Sequence, residues 1–305
     1  MADVAADPAV NGEPSAESVV AVSGLRKMYG KLAAVDGLDL EIPPGSVFGL
    51  IGPNGAGKST TLSILAALLR PTSGRVRVCG FDPMKSPKEV RKRIGYMPDA
   101  MGTYDGLQVG EYLEFFASAY RVPRREWDGV VDGLLELVDL GVKRDAMVNS
   151  LSRGMKQRLS LARALVHDPE ILILDEPASG LDPRARIELR VLIGELRAMG
   201  KTVLISSHIL AELEEMCTAI AVLEAGKLLA SGTPAGIQEQ LGRGRTVTVR
   251  FADGSSEEFP VAGDDEQAEL LHRLVAVEGR RVVEFRQGGS GLEELFMSIT
   301  EGTVQ

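Results

Sequence analysis

Three stretches of the chain are apolar almost throughout and end abruptly in glycine or polar residues: Val47-Phe48-Gly49-Leu50-Ile51, Ile171-Leu172-Ile173-Leu174 and Thr202-Val203-Leu204-Ile205-Ser206. Short continuous runs of this kind predict strands buried on both faces, which calls for a parallel sheet covered by helices. Val19 to Val22, Leu38 to Ile42, Arg75 to Cys79 and Arg93 to Met97 read as further strands, the first two joined by a turn-rich connection. Strands at 219–223 and 227–231 close this region. Between them, Gln108 to Tyr120 and Trp127 to Leu140 carry apolar residues at helical spacing, so residues 100–150 form a mostly helical insertion. An amphipathic helix from Ser152 to about His167 follows. From about residue 244 the pattern changes. Strands at 246–251, 257–261 and 281–285 alternate with helices at 265–275 and near Leu292 to Ile299, which predicts a small α+β lobe.

Composition narrows the class. The 305 residues are 44% hydrophobic and 25% charged, as in an ordinary globular protein with a substantial core. The net charge is -9, and no dense Lys/Arg cluster offers the basic face that gripping nucleic acid requires. Cys79 and Cys217 read as small core residues in a reduced, cytoplasmic setting. Residues 1–18 combine four acids with no Lys or Arg and read as a disordered tail, not as a signal peptide. No stretch approaches the ~18 apolar residues of a membrane span, so the chain is not expected to be integral to a membrane.

The chemistry concentrates at the ends of the buried strands. Gly52-Pro53-Asn54-Gly55-Ala56-Gly57-Lys58-Ser59-Thr60 follows the first and precedes the apolar-rich Leu62 to Leu69. Strand, glycine-rich loop and helix in that order make a P-loop, whose backbone N–H groups and helix N-terminus cradle phosphates. Gly52, Gly55 and Gly57 are expected at positive φ. Lys58 is expected on the β- and γ-phosphates and Ser59 on Mg²⁺. The second run ends in Asp175-Glu176, where carboxylates either cap the next helix or, beside a P-loop, hold the metal (Asp175) and polarise a water (Glu176). The third ends in Ser207-His208. His208 is a cap or core residue, or a donor facing the γ-phosphate. Ser152 can cap its helix while Gly154 keeps the first turn open to an anion. Ser179-Gly180-Leu181-Asp182 starts another helix, with Pro183 in its first turn. Tyr29, just before Gly30, is by itself a half-buried packing residue.

Together these segments resemble the ATP-binding cassette of ABC transporters. Leu151-Ser152-Arg153-Gly154-Met155-Lys156-Gln157 resembles the family signature, Ile171 to Pro177 the Walker B strand with its glutamate, Ser179 to Asp182 the D-loop, and Ser206 to Leu210 the switch-histidine segment. The resemblance spans about residues 19–235, with a helical subdomain at about 100–165, and leaves a lobe at 244–305. Leu292-Glu293-Glu294-Leu295-Phe296 in that lobe resembles segments appended to bacterial ATPases of export-type permeases. The implied fold is α/β: a P-loop cassette with a parallel core sheet, an antiparallel N-terminal β subdomain and a helical insertion, plus the small lobe.

The implied function is ATP binding and hydrolysis that powers export through a separate integral membrane permease. The protein would lie at the inner face of the membrane. Two cassettes, most simply two copies of this chain, pack head to tail, so that Ser152 and Gly154 of one cover the ATP on the other. Asp182 belongs to that shared nucleotide site. Glu176 works with His208, and Tyr29 stacks on adenine. Two positions depart from the family pattern: Asp99 stands where glutamine is usual, among the metal and catalytic positions, and Arg153 replaces the usual glycine or glutamine. An alternative is an ABC-type ATPase acting on ribosomes or DNA, but the chain has neither a second cassette nor long coiled coils. The apolar Met101, Tyr104, Leu107, Phe115 and Phe116 serve either a local core or a permease dock.

Overall fold

A computed structural model of the chain describes residues 18–100, 102, 106–241, 245–261 and 263–288. Most of the expected N-terminal tail, Met101 and Tyr104, and the Leu292 to Ile299 helix with its Leu292-Glu293-Glu294-Leu295-Phe296 stretch lie outside the described residues. The chain divides into two compact units, Met1–Ser231 and Gly232–Gln305.

The first unit is built on a six-stranded sheet. Its strands are β3 (Val47–Ile51), β5 (Ile94–Met97), β6 (Ile171–Asp175), β7 (Thr202–Ser207), β8 (Ala219–Glu224) and β9 (Lys227–Gly232), in the order β5-β6-β7-β3-β8-β9. From β5 to β8 every pairing is parallel. β3, β6 and β7 are buried at every position, which is why they carry no polar alternation. Ala225 and Gly226, both at positive φ, fold β9 back beside β8.

β1 (Val20–Tyr29), β2 (Leu32–Ile42) and β4 (Ser73–Val78) form a separate antiparallel sheet in the order β2-β1-β4. The turn-rich connection expected between residues 22 and 38 is instead hydrogen-bonded ladder. Gly30-Lys31 makes a tight turn with Gly30 at φ 59°, and the glycines at 24 and 37 sit in a bulged register that keeps Leu25 and Leu38 inside.

The helices that cover the sheets are short. α1 (Lys58–Leu65) stops well before Leu69, because Ala67 turns left-handed at φ 57°. α2 (Pro87–Arg93) buries only Val90 and leads into β5. α3 (Val109–Ala119), α4 (Trp127–Leu137) and α5 (Arg153–Leu165) pack on one another through Tyr112, Leu113, Val131, Leu135 and Leu159, and α5 rests against β5. The main-chain N–H of Gln108 donates to Glu111 Oε2 at 2.9 Å and closes the start of α3. α6 (Pro183–Ala198) packs on β7, and α7 (Leu210–Met216) packs on β3 and β7.

The second unit holds α8 (Pro234–Leu241) and an antiparallel sheet of β10 (Arg245–Phe251), β11 (Ser256–Val261) and β12 (Val282–Gly288), with β10 central. α9 (Asp264–His272) runs on into a π turn at Arg273–Val277. Leu270 and Leu274 close a small core over Val247, Val249, Phe251 and Val261.

Candidate functional site

The register of the parallel sheet assembles the site. Ile51 pairs with Ser207, Asp175 with Ser206, and Met97 with Leu174. The C-terminal ends of β3, β6, β7 and β5 therefore lie level, side by side. The chain leaves them as the 52–57 loop, Asp175-Glu176, Ser207-His208 and Pro98-Asp99, at the end of the sheet where open α/β folds take ligands.

The 52–57 loop ends in Gly57, the N-cap of α1, at φ 99°. Gly55 is also left-handed, at φ 87°, but Gly52 is not among the positive-φ residues, contrary to expectation. Gly52 is required by crowding: a Cβ there would stand 2.3 Å from the Leu223 carbonyl oxygen and 2.7 Å from the Ala56 Cβ. Lys58 folds back beneath the loop, donating to the Gly52 carbonyl at 2.6 Å and the Pro53 carbonyl at 3.3 Å, and is only 6% exposed.

Asp175 is buried at the end of β6, and its Oδ1 accepts from the Ser206 hydroxyl at 2.6 Å. Burial pushes its carboxyl above the ordinary range, the hydroxyls of Ser206 and Ser59 pull it back, and the nearby charges of Glu176 and Asp99 push it up. Glu176 leaves the strand at φ 49°, a left-handed conformation rare for a side-chain-bearing residue. That turn brings its carboxylate to 3.4 Å from Lys58 Nζ and 2.8 Å from His208 Nδ1. A carboxylate only accepts, so Nδ1 carries the proton of this hydrogen bond and Nε2 is left for another partner. The Glu176 carbonyl accepts from Gln157 Nε2 at 3.4 Å, which ties α5 to the same turn.

A cleft of about 590 Å³ opens at this end of the sheet, with Gly52 and Asp175 outside its lining. Tyr29, Pro53, Asn54, Gly55, Ala56, Gly57, Lys58, Ser59, Thr60, Asp99, Glu176 and His208 line it. Ser179, which opens the D-loop segment, also lines it, as do Leu32, Ala33, Ala34 and Ala225, which the sequence did not single out. A leucine and alanines at a strand start and in a turn carry no signal except as part of the folded cleft. Tyr29 stands at one end, about half exposed, with Lys27 Nζ 5.0 Å from its ring centroid.

Ser152, Gly154 and Asp182 do not line the cleft. Ser152 caps α5, its Oγ accepting from Met155 N at 3.3 Å, and Asp182 caps α6, its Oδ1 accepting from Ala185 N at 2.8 Å. A Cβ on Gly154 would meet nothing closer than 3.6 Å, so packing within this chain does not demand glycine there. Arg153 lies across Gly180: a Cβ on that glycine would stand 2.3 Å from the guanidinium carbon.

The apolar group around residues 101–116 is split. Leu107 and Phe116 are partly buried, Phe116 meeting the core residue Tyr112 edge-on at 5.0 Å between centroids, whereas Phe115 is 50% exposed.

A glycine-rich loop leading into a helix N-terminus, a buried carboxylate facing a hydroxyl, and a second carboxylate held by histidine and lysine are groups suited to nucleotide chemistry. Residues 35–179 match the family described as ABC transporter. The chain is 38% identical over 258 residues to the Nod factor export ATP-binding protein I of Paraburkholderia xenovorans (strain LB400), covering 84% of this chain and 83% of that protein. Its structure is similar to one described as the ATP binding subunit of an ABC transporter, with TM-score 0.68, 31% identity, and 74% of this chain and 94% of that one covered. It is also similar to the dimeric post-hydrolysis state of the ATP-binding cassette MJ0796 bound to ADP and Pi, with TM-score 0.65, 26% identity, and coverage of 70% and 98%. The chain therefore belongs to the ABC transporter family, as one of its ATP-binding, ATP-hydrolysing subunits.

Proposed function

We propose that this chain powers export through a separate integral membrane permease, working as a head-to-tail pair of copies at the inner face of the membrane. The observation that carries the reading is the division of the expected nucleotide ligands. Tyr29, residues 53–60, Asp99, Glu176 and His208 line one cleft, and buried Asp175 is tied through the Ser206 hydroxyl to the Glu176 peptide beside it, whereas Ser152, Gly154 and Asp182 stand outside the cleft and make helix caps or loose contacts in their own chain. A second copy turned to face the first would present them to its nucleotide. The dimeric cassette bound to ADP and Pi, and the export role in the relative's name, support the same reading. Among the described residues no helix is long and apolar enough to cross a membrane; in this reading another chain supplies the translocation path.

In this reading Tyr29 stacks on adenine, the N–H groups of residues 54–60 hold the phosphates, and Lys58 moves from the loop carbonyls to phosphate oxygens of greater charge. The Ser59 hydroxyl and the carboxylates of Asp175 and Asp99 are hard oxygen donors that suit Mg²⁺, and Ser59 is close enough to Asp175 to draw its carboxyl pKa down. The cation would neutralise phosphate charge. Glu176 accepts the proton of the water that attacks the γ-phosphorus. The Nδ1–H of His208 and the ammonium of buried Lys58 hold its carboxylate in place. Purification of the tagged chain from detergent-solubilised membranes tests the partner: a multispanning protein is expected, and recovery of ribosomes or DNA instead would overturn the proposal.

A further inference from the structure

Ser206 carries a hydroxyl near the end of a fully buried strand, after the apolar Val203-Leu204-Ile205, and it is 0% exposed. Its single hydrogen goes to Asp175 Oδ1 at 2.6 Å, and its oxygen accepts the main-chain N–H of Glu176 at 2.9 Å. One atom therefore ties the buried carboxylate to the peptide immediately after it. That peptide enters the residue at φ 49°, a conformation an L residue adopts only when its surroundings hold it there. The departure from the strand is what aims the Glu176 side chain away from the sheet, towards His208 Nδ1 at 2.8 Å and Lys58 Nζ at 3.4 Å. In an extended continuation of β6 the next side chain would point into a sheet face, as its buried predecessors do.

We propose that Ser206 is a positioning residue for hydrolysis: by bonding both Asp175 and the Glu176 N–H, it holds the left-handed turn that aims the Glu176 carboxylate into the cleft. The inference rests on the reading of Glu176 as the group that takes the water's proton. Neighbouring Ser207 does not share the role, because its hydroxyl donates to Glu212 Oε2 at 2.9 Å and accepts from Ile209 N at 3.0 Å, which organises the start of α7 instead. The Ser206 hydroxyl bonds to Asp175 and the Glu176 N–H, and to neither the 52–57 loop nor Tyr29. Its loss should therefore spare nucleotide binding and act on the chemical step.

The test is steady-state and single-turnover ATP hydrolysis by the full chain, with nucleotide affinity measured separately using a fluorescent ATP analogue. Ser206→Ala is expected to lower kcat at least tenfold with analogue affinity within threefold of the parent. Ser206→Thr, which keeps the hydroxyl, is expected to recover kcat to within threefold. In a Glu176→Gln background, Ser206→Ala is expected to add no further loss, since it acts through that side chain. Parent-like kcat in Ser206→Ala would overturn the proposal, as would failure of threonine to restore the rate or a loss that multiplies with that of Glu176→Gln. Failure of the alanine variant to fold would make Ser206 a structural residue and overturn it too. A parent rate that Glu176→Gln leaves unchanged would instead sink the role of Glu176 on which the proposal rests.

Discussion

Replacing the three glycines of the 52–57 loop by alanine, one at a time, separates backbone strain from crowding at the phosphate cradle. Gly55 sits at φ 87° with nothing within 4 Å of an added Cβ, so alanine there meets only the left-handed conformational penalty, ~1 kcal/mol. Gly52 carries no such penalty, but its Cβ would stand 2.3 Å from the Leu223 carbonyl oxygen. Relieving that overlap needs a backbone shift of about 1 Å, and overpacking of this kind costs ~2 kcal/mol. Gly57 combines both: φ 99° and a Cβ 2.3 Å from the Ala34 carbonyl oxygen on β2. The two terms sum to ~3 kcal/mol. Trp127 is the chain's one tryptophan and lies on α4 of the first unit, so its fluorescence in urea follows unfolding of the unit that holds the loop. The expected order of destabilisation is Gly57→Ala, then Gly52→Ala, then Gly55→Ala. ATP-analogue binding should fall most for Gly57→Ala, because Ala33 and Ala34 line the cleft and must move. Equal losses at Gly55 and Gly57 would refute the crowding argument, and a neutral Gly52→Ala would show that the approach to Leu223 is not fixed.

Asp99→Gln should weaken the Mg²⁺ dependence of hydrolysis while keeping ATP affinity, because glutamine removes a full negative charge from the donor set; superimposable Mg²⁺ titrations would remove Asp99 from the metal's surroundings. Asp175→Asn should raise the Tm at pH 8 while abolishing turnover. Burial lifts the Asp175 carboxyl above its unfolded value near ~3.9, so the folded chain loses stability from this group as pH rises through that window and beyond. The gain should shrink as pH falls and vanish below the unfolded value of ~3.9, where both states are protonated, and a pH-independent gain would contradict the assignment. Phe115→Glu, on the exposed face of α3, should reduce recovery of the permease in pull-downs while leaving basal ATPase activity at the parent level; undiminished recovery would place the dock elsewhere.

The parts of the site most legible in the sequence are those whose chemistry and position coincide along the chain. A buried strand must be apolar, so the polar residues that end β3, β6 and β7 stand out, and the sheet register makes neighbours of Ser207, Asp175 and the loop after Ile51. The β1–β2 ladder was not legible because its bulges break the two-residue alternation, and α2 was missed because a seven-residue helix burying one valine has no periodicity to show. Gly52 was assigned the wrong reason: sequence indicates that glycine is needed, but crowding from Leu223, far along the chain, is visible only in the fold. The role of Ser206 escaped for the same cause. A serine at the end of a buried strand is a visible anomaly, but the group it serves is the Glu176 N–H, whose direction depends on a left-handed turn that the sequence does not announce.

The central claim is that Glu176 drives hydrolysis in a cleft completed by a second copy. Glu176→Gln keeps the shape of the side chain and removes its basicity, so one protein tests both halves of that claim. ATP affinity should match the parent, turnover should fall by at least the ~10²-fold of a lost general base, and the full chain should elute from a sizing column as a dimer with ATP and a monomer without it. Parent-like turnover, or a monomer under both conditions, would contradict the account.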